Sequence, residues 1–156
     1  MQESLASIRL PKDRIKQLRE FCDTMGGKTL SAGLGELLKF ARNQGIIRHT
    51  IPSVQLNAFP DGVALTIEDN KSQGFSHAEV VQIATQIRQC VEKRNGGDKT
   101  GFLSETQGGT ALIYGRGGQT VAVCIPMNTE PKMFTLDLAS DLADLLEETA
   151  RKEHND

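Results

Sequence analysis

The chain opens on Ser7-Ile-Arg-Leu-Pro11, a short alternating segment directly ahead of two stretches of helical periodicity that are separated by Gly26-Gly27. A strand standing alone before two helices leaves its backbone donors and acceptors unpaired, and a unit this small cannot offset their burial. The pattern therefore predicts pairing with the same segment of a second chain, as an antiparallel ribbon about a two-fold axis. Along such a strand Ala6, Ile8 and Leu10 point to one side and cover the helices, while Leu5, Ser7 and Arg9 point outward. A two-stranded ribbon has the width to enter the major groove of B-DNA.

Pro11 suits the first turn of a helix, and Asp13 suits its positive end. Ile15, Leu18, Cys22 and Met25 then recur at intervals of three, four and three, with Phe21 widening the stripe and Lys12, Lys16 and Arg19 on or near the other face. Gly26-Gly27 ends this helix, because glycine takes the left-handed cap conformation at low cost. A second helix is expected from about Ser31, with Thr29 and Ser31 both able to cap it, a buried stripe of Leu34, Leu37, Leu38 and Ala41, and Gly45 as its stop. Gly33 and Gly35 inside that helix leave two readings open, a frayed first turn or a close approach by a partner helix or backbone.

Taken together, strand, proline, amphipathic helix, glycine-containing turn and the Ser31-Ala-x-Leu34-x-x-Leu37-Leu38 opening resemble a ribbon-helix-helix domain of the Arc/MetJ type, over residues 4–45. The resemblance implies a swapped β-ribbon homodimer that reads bases with Leu5, Ser7 and Arg9. It implies phosphate contacts at Lys28, Thr29, Leu30 and Ser31, around the backbone amides that open the second helix. The dimer core would be Ile8, Leu10, Leu18, Leu34, Leu37 and Leu38. Arg9 is the strongest base reader, since a guanidinium can donate two hydrogen bonds to guanine.

Charge is divided unevenly. Residues 1–50 hold nine Lys/Arg against five Asp/Glu, a balance of +4, and residues 51–156 hold nine against fifteen, a balance of −6, which together give the net −2. A basic head on an acidic body suits a protein that offers one end to a polyanion.

The sequence places the head at residues 1–46 and a linker at 47–53, where periodicity lapses and Pro52 intervenes, with His49 read as a plain surface histidine. Residues 54–156 read as a small α+β sheet domain with two helices, for oligomerisation or sensing. Val54–Phe59 and Val63–Glu68 alternate as strands joined by Pro60-Asp61-Gly62, a hairpin turn. Asp69–Phe75 reads as a polar loop, and Ser76-x-x-Glu79 as a capping box opening a helix with Val80, Ile83, Ile87 and Val91 on one face, ending at Gly96-Gly97. Gly101–Thr106, Thr110–Tyr114 and Gln119–Ile125 read as a meander of hairpins, with Met133–Leu136 as a last strand. Gly115–Gly118 leads into a strand and lacks a following Lys-Ser/Thr, so it reads as a hairpin loop and not a phosphate loop. Capped by Thr135 or Asp137, the closing helix buries Leu138, Leu142, Leu145 and Leu146 and exposes a solvated acidic face of Asp141, Asp144, Glu147 and Glu148.

With 38% hydrophobic and 24% charged residues, the chain has enough apolar content to bury a core. It has no apolar run of spanning length and no apolar segment behind Arg9, Lys12 and Arg14, so a cytoplasmic location without membrane contact is expected. Cys22, Cys90 and Cys124 are scattered and odd in number, and read as small buried hydrophobes. No catalytic motif, metal site or cofactor motif stands out, so an enzyme is not expected. The expected function is that of a sequence-specific regulator of double-stranded DNA, a transcriptional repressor, acting as a homodimer with higher oligomers left to the C-terminal domain. Two alternatives stand beside it: an antitoxin or other protein-interaction module whose C-terminal part binds a protein, and a plasmid partition or conjugation accessory protein with the same head.

Overall fold

A computed structural model describes residues 7–93, 109–116 and 119–152, together with the backbone of residues 101–105. The chain divides into two compact units, Met1–Arg48 and His49–Asp156, so the division falls inside the stretch read as a linker.

In the first unit the first element is a helix, α1 (Lys12–Thr24), followed by α2 (Leu30–Asn43). Residues 7–10 precede α1 as exposed chain without strand pairing, so the expected ribbon is not among the elements of the single chain. The turn between the helices follows from Gly26 and Gly27, whose φ angles of 89° and 74° lie in the left-handed region. That turn carries the amides of Gly27 and Lys28 back to the Cys22 carbonyl, at 3.1 and 3.2 Å, which satisfies the end of α1.

The second unit is α+β. Strands β1 (Val54–Phe59), β2 (Gly62–Ile67) and β3 (Gln73–Phe75) form one antiparallel sheet in that order, and α3 (His77–Glu92) follows. Strands β4 (Gly101–Glu105), β5 (Thr110–Arg116), β6 (Thr120–Cys124) and β7 (Lys132–Thr135) form a second antiparallel meander, and α4 (Leu136–Lys152) closes the chain. The stretch Asp69–Phe75 is thus not all loop. Its last three residues pair with β2, Val63 opposite Phe75 and Leu65 opposite Gln73, a strand too short to show alternation in the sequence.

The capping box at the start of α3 is complete. Ser76 Oγ accepts from the Glu79 amide at 3.2 Å, and Glu79 Oε2 accepts from the Ser76 amide at 2.7 Å. The β5–β6 hairpin pairs Arg116 with Thr120 across the Gly115–Gly118 stretch. The expected helix end at Gly96-Gly97 lies outside the described residues.

Helices α3 and α4 pack on each other, and each also packs against strands of both sheets, so one core serves the whole unit. Its centre is Leu65 and Ile67 of β2, Ile83 and Ile87 of α3, Ile113 of β5, Phe134 of β7, and Leu142 and Leu146 of α4. On α4 the fully buried positions include Ala139 and Ala143, while Leu138 and Leu145 are only half-buried. All three cysteines are free and buried, and burial raises the thiol pKa of Cys90 and Cys124.

The hairpin glycine has a different reason from the one its position suggests. Phe59 pairs with Gly62 across a two-residue loop of Pro60 and Asp61, and Gly62 has no positive φ. What requires glycine is β3: a Cβ on Gly62 would lie 2.2 Å from the Phe75 carbonyl oxygen, which is backbone and cannot swing aside. Gly62→Ala is therefore expected to destabilise the body by about 1–3 kcal/mol, the range for overpacking a tight site. A urea midpoint unchanged from wild type would show that β3 yields freely.

Candidate nucleic-acid interface

The N-terminal unit is unusual in what it leaves uncovered. Among the described residues, every buried apolar side chain except Cys22 belongs to the body. Helix α1 is amphipathic as expected, yet Ile15 and Leu18 are only half-buried. On α2 Leu34, Leu37 and Leu38 are all exposed, Leu38 by 51%, and so are Ile8 (77%) and Leu10. Five of the six positions expected in a dimer core are therefore open in the single chain, and Leu18 is partly so. Phe40, Ile46 and Ile47 are exposed as well, and the sequence pattern did not single them out.

The two helices do meet at one point. Gly33 is buried because α1 lies against it: a Cβ there would come within 2.3 Å of Cys22 Sγ. Of the two readings left open for the α2 glycines, Gly33 thus answers to close approach, and the approaching helix is the chain's own α1.

The start of α2 is well defined. Thr29 is the N-cap, its Oγ1 accepting from the Ala32 amide at 3.2 Å and its carbonyl accepting from the Gly33 amide at 2.8 Å. Ser31 is therefore inside the first turn and not the cap. Among the described residues no group accepts from the amides of Leu30 and Ser31, which stand at the positive end of a helix of 14 residues. This arrangement can take an anion on two parallel N–H groups. Lys28 Nζ donates to Glu36 Oε1 at 2.6 Å, and that bond holds the Glu36 carboxyl below its usual pKa. An exposed pair of this type is worth little, so a phosphate could exchange for Glu36 on Lys28 at small cost.

Ser7 and Arg9 are exposed, and Leu5 lies outside the described residues. Among the described residues no ion pair or hydrogen bond ties either side chain.

In the body the acidic face of α4 is not simply solvated. Arg88 of α3 donates to Glu147 Oε1 and, at 2.7 Å, to Asp144 Oδ1, so two of the four acids brace the α3–α4 pair, and these bonds raise the Arg88 pKa. Arg151 also pairs with Glu147, and Lys152 with Glu148. His49 is likewise no plain surface residue, since its ring is packed on α4 beside Glu148. Nothing in the spacing signals either link: Arg88 and His49 meet their partners across 56 to 99 residues of sequence.

Among the described residues no three His, Cys, Asp or Glu side chains converge as metal ligands would, and no helix is long and apolar enough to cross a membrane. Set against protein families, characterised proteins and solved structures, the chain gives no match.

Proposed function

We propose that the protein is a sequence-specific DNA-binding regulator, a transcriptional repressor, that works as a homodimer through its first 48 residues. The observation that carries this reading is the open apolar face of the head. Ile8, Leu10, Leu34, Leu37 and Leu38 follow a burial pattern in sequence and are nevertheless exposed in the single chain. A second copy supplies the missing half of that core, and pairing residues 7–10 of the two chains as a ribbon turns Ile8 and Leu10 inward and Ser7 and Arg9 outward. The ribbon then enters the major groove with Arg9 as the main reader. The unsatisfied amides of Leu30 and Ser31, with Thr29 and Lys28 beside them, anchor phosphates and set the register.

The body has its own continuous core, whereas protein-sequestering tails fold on binding. This favours the regulator over the antitoxin reading.

The test is selection of sites from random double-stranded DNA with the full-length protein, followed by affinity measurements at two salt concentrations. A palindromic site is expected, with wild-type affinity falling steeply as salt rises. Arg9→Ala is expected to cost about 1–3 kcal/mol per half-site and to relax the base preference there. Failure to enrich any site, with weak binding indifferent to Arg9→Ala, would overturn the proposal.

A further inference from the structure

In the first sheet of the body β1 is an edge strand, paired with β2 on one side only. Which of its backbone groups face outward is set by the ladder. The Glu68 amide donates to the Ser53 carbonyl at 2.7 Å, so Ser53 and every second residue after it, Gln55, Asn57 and Phe59, turn their backbone groups toward β2. Val54, Leu56 and Ala58 turn theirs away. The Val54 amide is already given to the Ile51 carbonyl at 2.9 Å, and Pro60 beyond the strand has no N–H. Leu56 and Ala58 are therefore the residues of β1 whose amide and carbonyl both point outward, and among the described residues no backbone group bonds to them there.

An open edge is normally guarded by a charge, a proline, a bulge, its own shortness or a covering element. The other edges of the body carry such guards. Strand β3 is three residues long and meets the start of β5, where Gln73 Oε1 accepts from the Thr110 amide at 3.2 Å. Strand β7 is four residues long, starts on Lys132 and follows Pro131, and β4 ends on Glu105. Strand β1 has none of them: Val-Gln-Leu-Asn-Ala-Phe is six residues without a charge or a proline, and it pairs with β2 residue for residue, without a bulge. Along it Gln55, Asn57 and Ala58 are exposed, and so is half of the Phe59 surface.

We propose that β1 is an interface strand whose occupant is β1 of a second copy of this chain, added antiparallel about a two-fold axis through Asn57. The register decides the occupant. Leu56 set opposite Ala58 of the second copy, and Ala58 opposite its Leu56, pairs every outward amide and carbonyl of those residues. A shift of two residues either way opposes Leu56 or Ala58 to itself and leaves groups facing the spent Val54 amide or Pro60. The side chains agree with the same register. Asn57 meets Asn57 of the second copy, and a primary amide both donates and accepts. Phe59 comes opposite Gln55 of the second copy, which covers part of its exposed ring. Asp61 of the hairpin turn falls opposite Ser53 of the second copy, so no like charges meet, although residues 51–156 are acidic overall. A foreign strand bearing charges finds no counter-charge on β1. With only six residues the strand covers less than the roughly 1,000 Å² of a stable interface, so the contact alone is transient in dilute protein. It is strengthened wherever chains are held close, as by the head pairing of the proposed function. That strengthening rests on the proposed function, whereas the strand pairing does not.

The test is disulfide trapping in the full-length protein, whose own three cysteines are buried. Asn57→Cys places two thiols across the axis, in a non-hydrogen-bonded pair with Cα atoms about 4.5 Å apart, which a disulfide spans. Gln55→Cys is the control, because its two thiols are offset along the ribbon by about 14 Å and cannot be bridged. Each variant is made with Leu38 and with Leu38→Asp and oxidised by glutathione disulfide at high micromolar concentration. Asn57→Cys is expected to give at least about tenfold more covalent dimer than Gln55→Cys in both backgrounds, since thiols on Cα atoms beyond about 7 Å do not link without backbone movement. A mixture of Gln55→Cys with Phe59→Cys, positions that the register sets opposite each other, is expected to link as Asn57→Cys does. No dimer from Asn57→Cys, equal yields from Asn57→Cys and Gln55→Cys, or a mixture that links no better than its components would each overturn the proposal. Trapping in the Leu38→Asp background reads β1 without the head, so failed selection of a DNA site beside successful trapping would count against the regulator reading alone.

Discussion

Leu38→Asp is expected to make the protein monomeric and, with that, to abolish binding to its DNA site. Leu38 is 51% exposed in the single chain, at the middle of the α2 stripe. Burying such a leucine is worth about 1.5–3 kcal/mol for a fully exposed side chain, and a two-fold interface counts the loss in both copies. A carboxylate at the same place adds a desolvation cost. The combined effect is on the order of 3 kcal/mol or more, at least roughly 100-fold in the dimer dissociation constant. Sedimentation equilibrium measures it directly, with Lys16→Ala, a charge removed from the polar side of α1, as the control that stays dimeric. A Leu38→Asp protein that remains a dimer would show that the head does not associate through α2, and the regulator reading would lose its main support.

The second large effect is expected in the body. Phe134→Ala should lower unfolding stability by about 3–5 kcal/mol, the range for removing a buried aromatic ring. Phe134 heads the fully buried side chains by volume and stands opposite Val121 on β6, so its loss leaves a cavity between the second sheet and the helices. A whole domain is typically stable by only about 5–15 kcal/mol, so the substitution removes a large part of what holds the body. Urea unfolding followed by circular dichroism checks it, with Phe134→Leu expected to cost about 1.5 kcal/mol or less because most of the volume is kept. A loss below about 1 kcal/mol for the alanine variant would mean that the core closes over the gap.

Much of the local structure was legible because its causes are local. The capping box at Ser76 and Glu79, the double glycine after α1, the hairpin between β1 and β2 and the alternation of β2 and β5 each lie within a few consecutive residues, and all are found in the fold, the hairpin loop being one residue shorter than the Pro60-Asp61-Gly62 turn expected. Strand β3 was missed because three residues are too few to show a period, and its pairing is decided by β2. Gly62 reads in the sequence as the third residue of the hairpin turn, yet it is the first residue of β2, and the group that excludes a side chain there, the Phe75 carbonyl, belongs to the strand β3 that the sequence does not show. The leucines of α2 were legible as a stripe that must be covered, and their exposure in one chain is why a second copy is proposed.

By itself, then, the sequence determined the four helices, the longer strands of the body and which faces are apolar, because backbone geometry imposes periods of 3.6 and 2 on any segment that must hide one side. Tertiary structure alone decided which distant groups meet: Cys22 against Gly33, Arg88 between Asp144 and Glu147, and His49 between Glu148 and the Asp141 carbonyl. Such contacts depend on how helices and sheets stack. No period along the chain encodes a partner 99 residues away, as Glu148 is for His49.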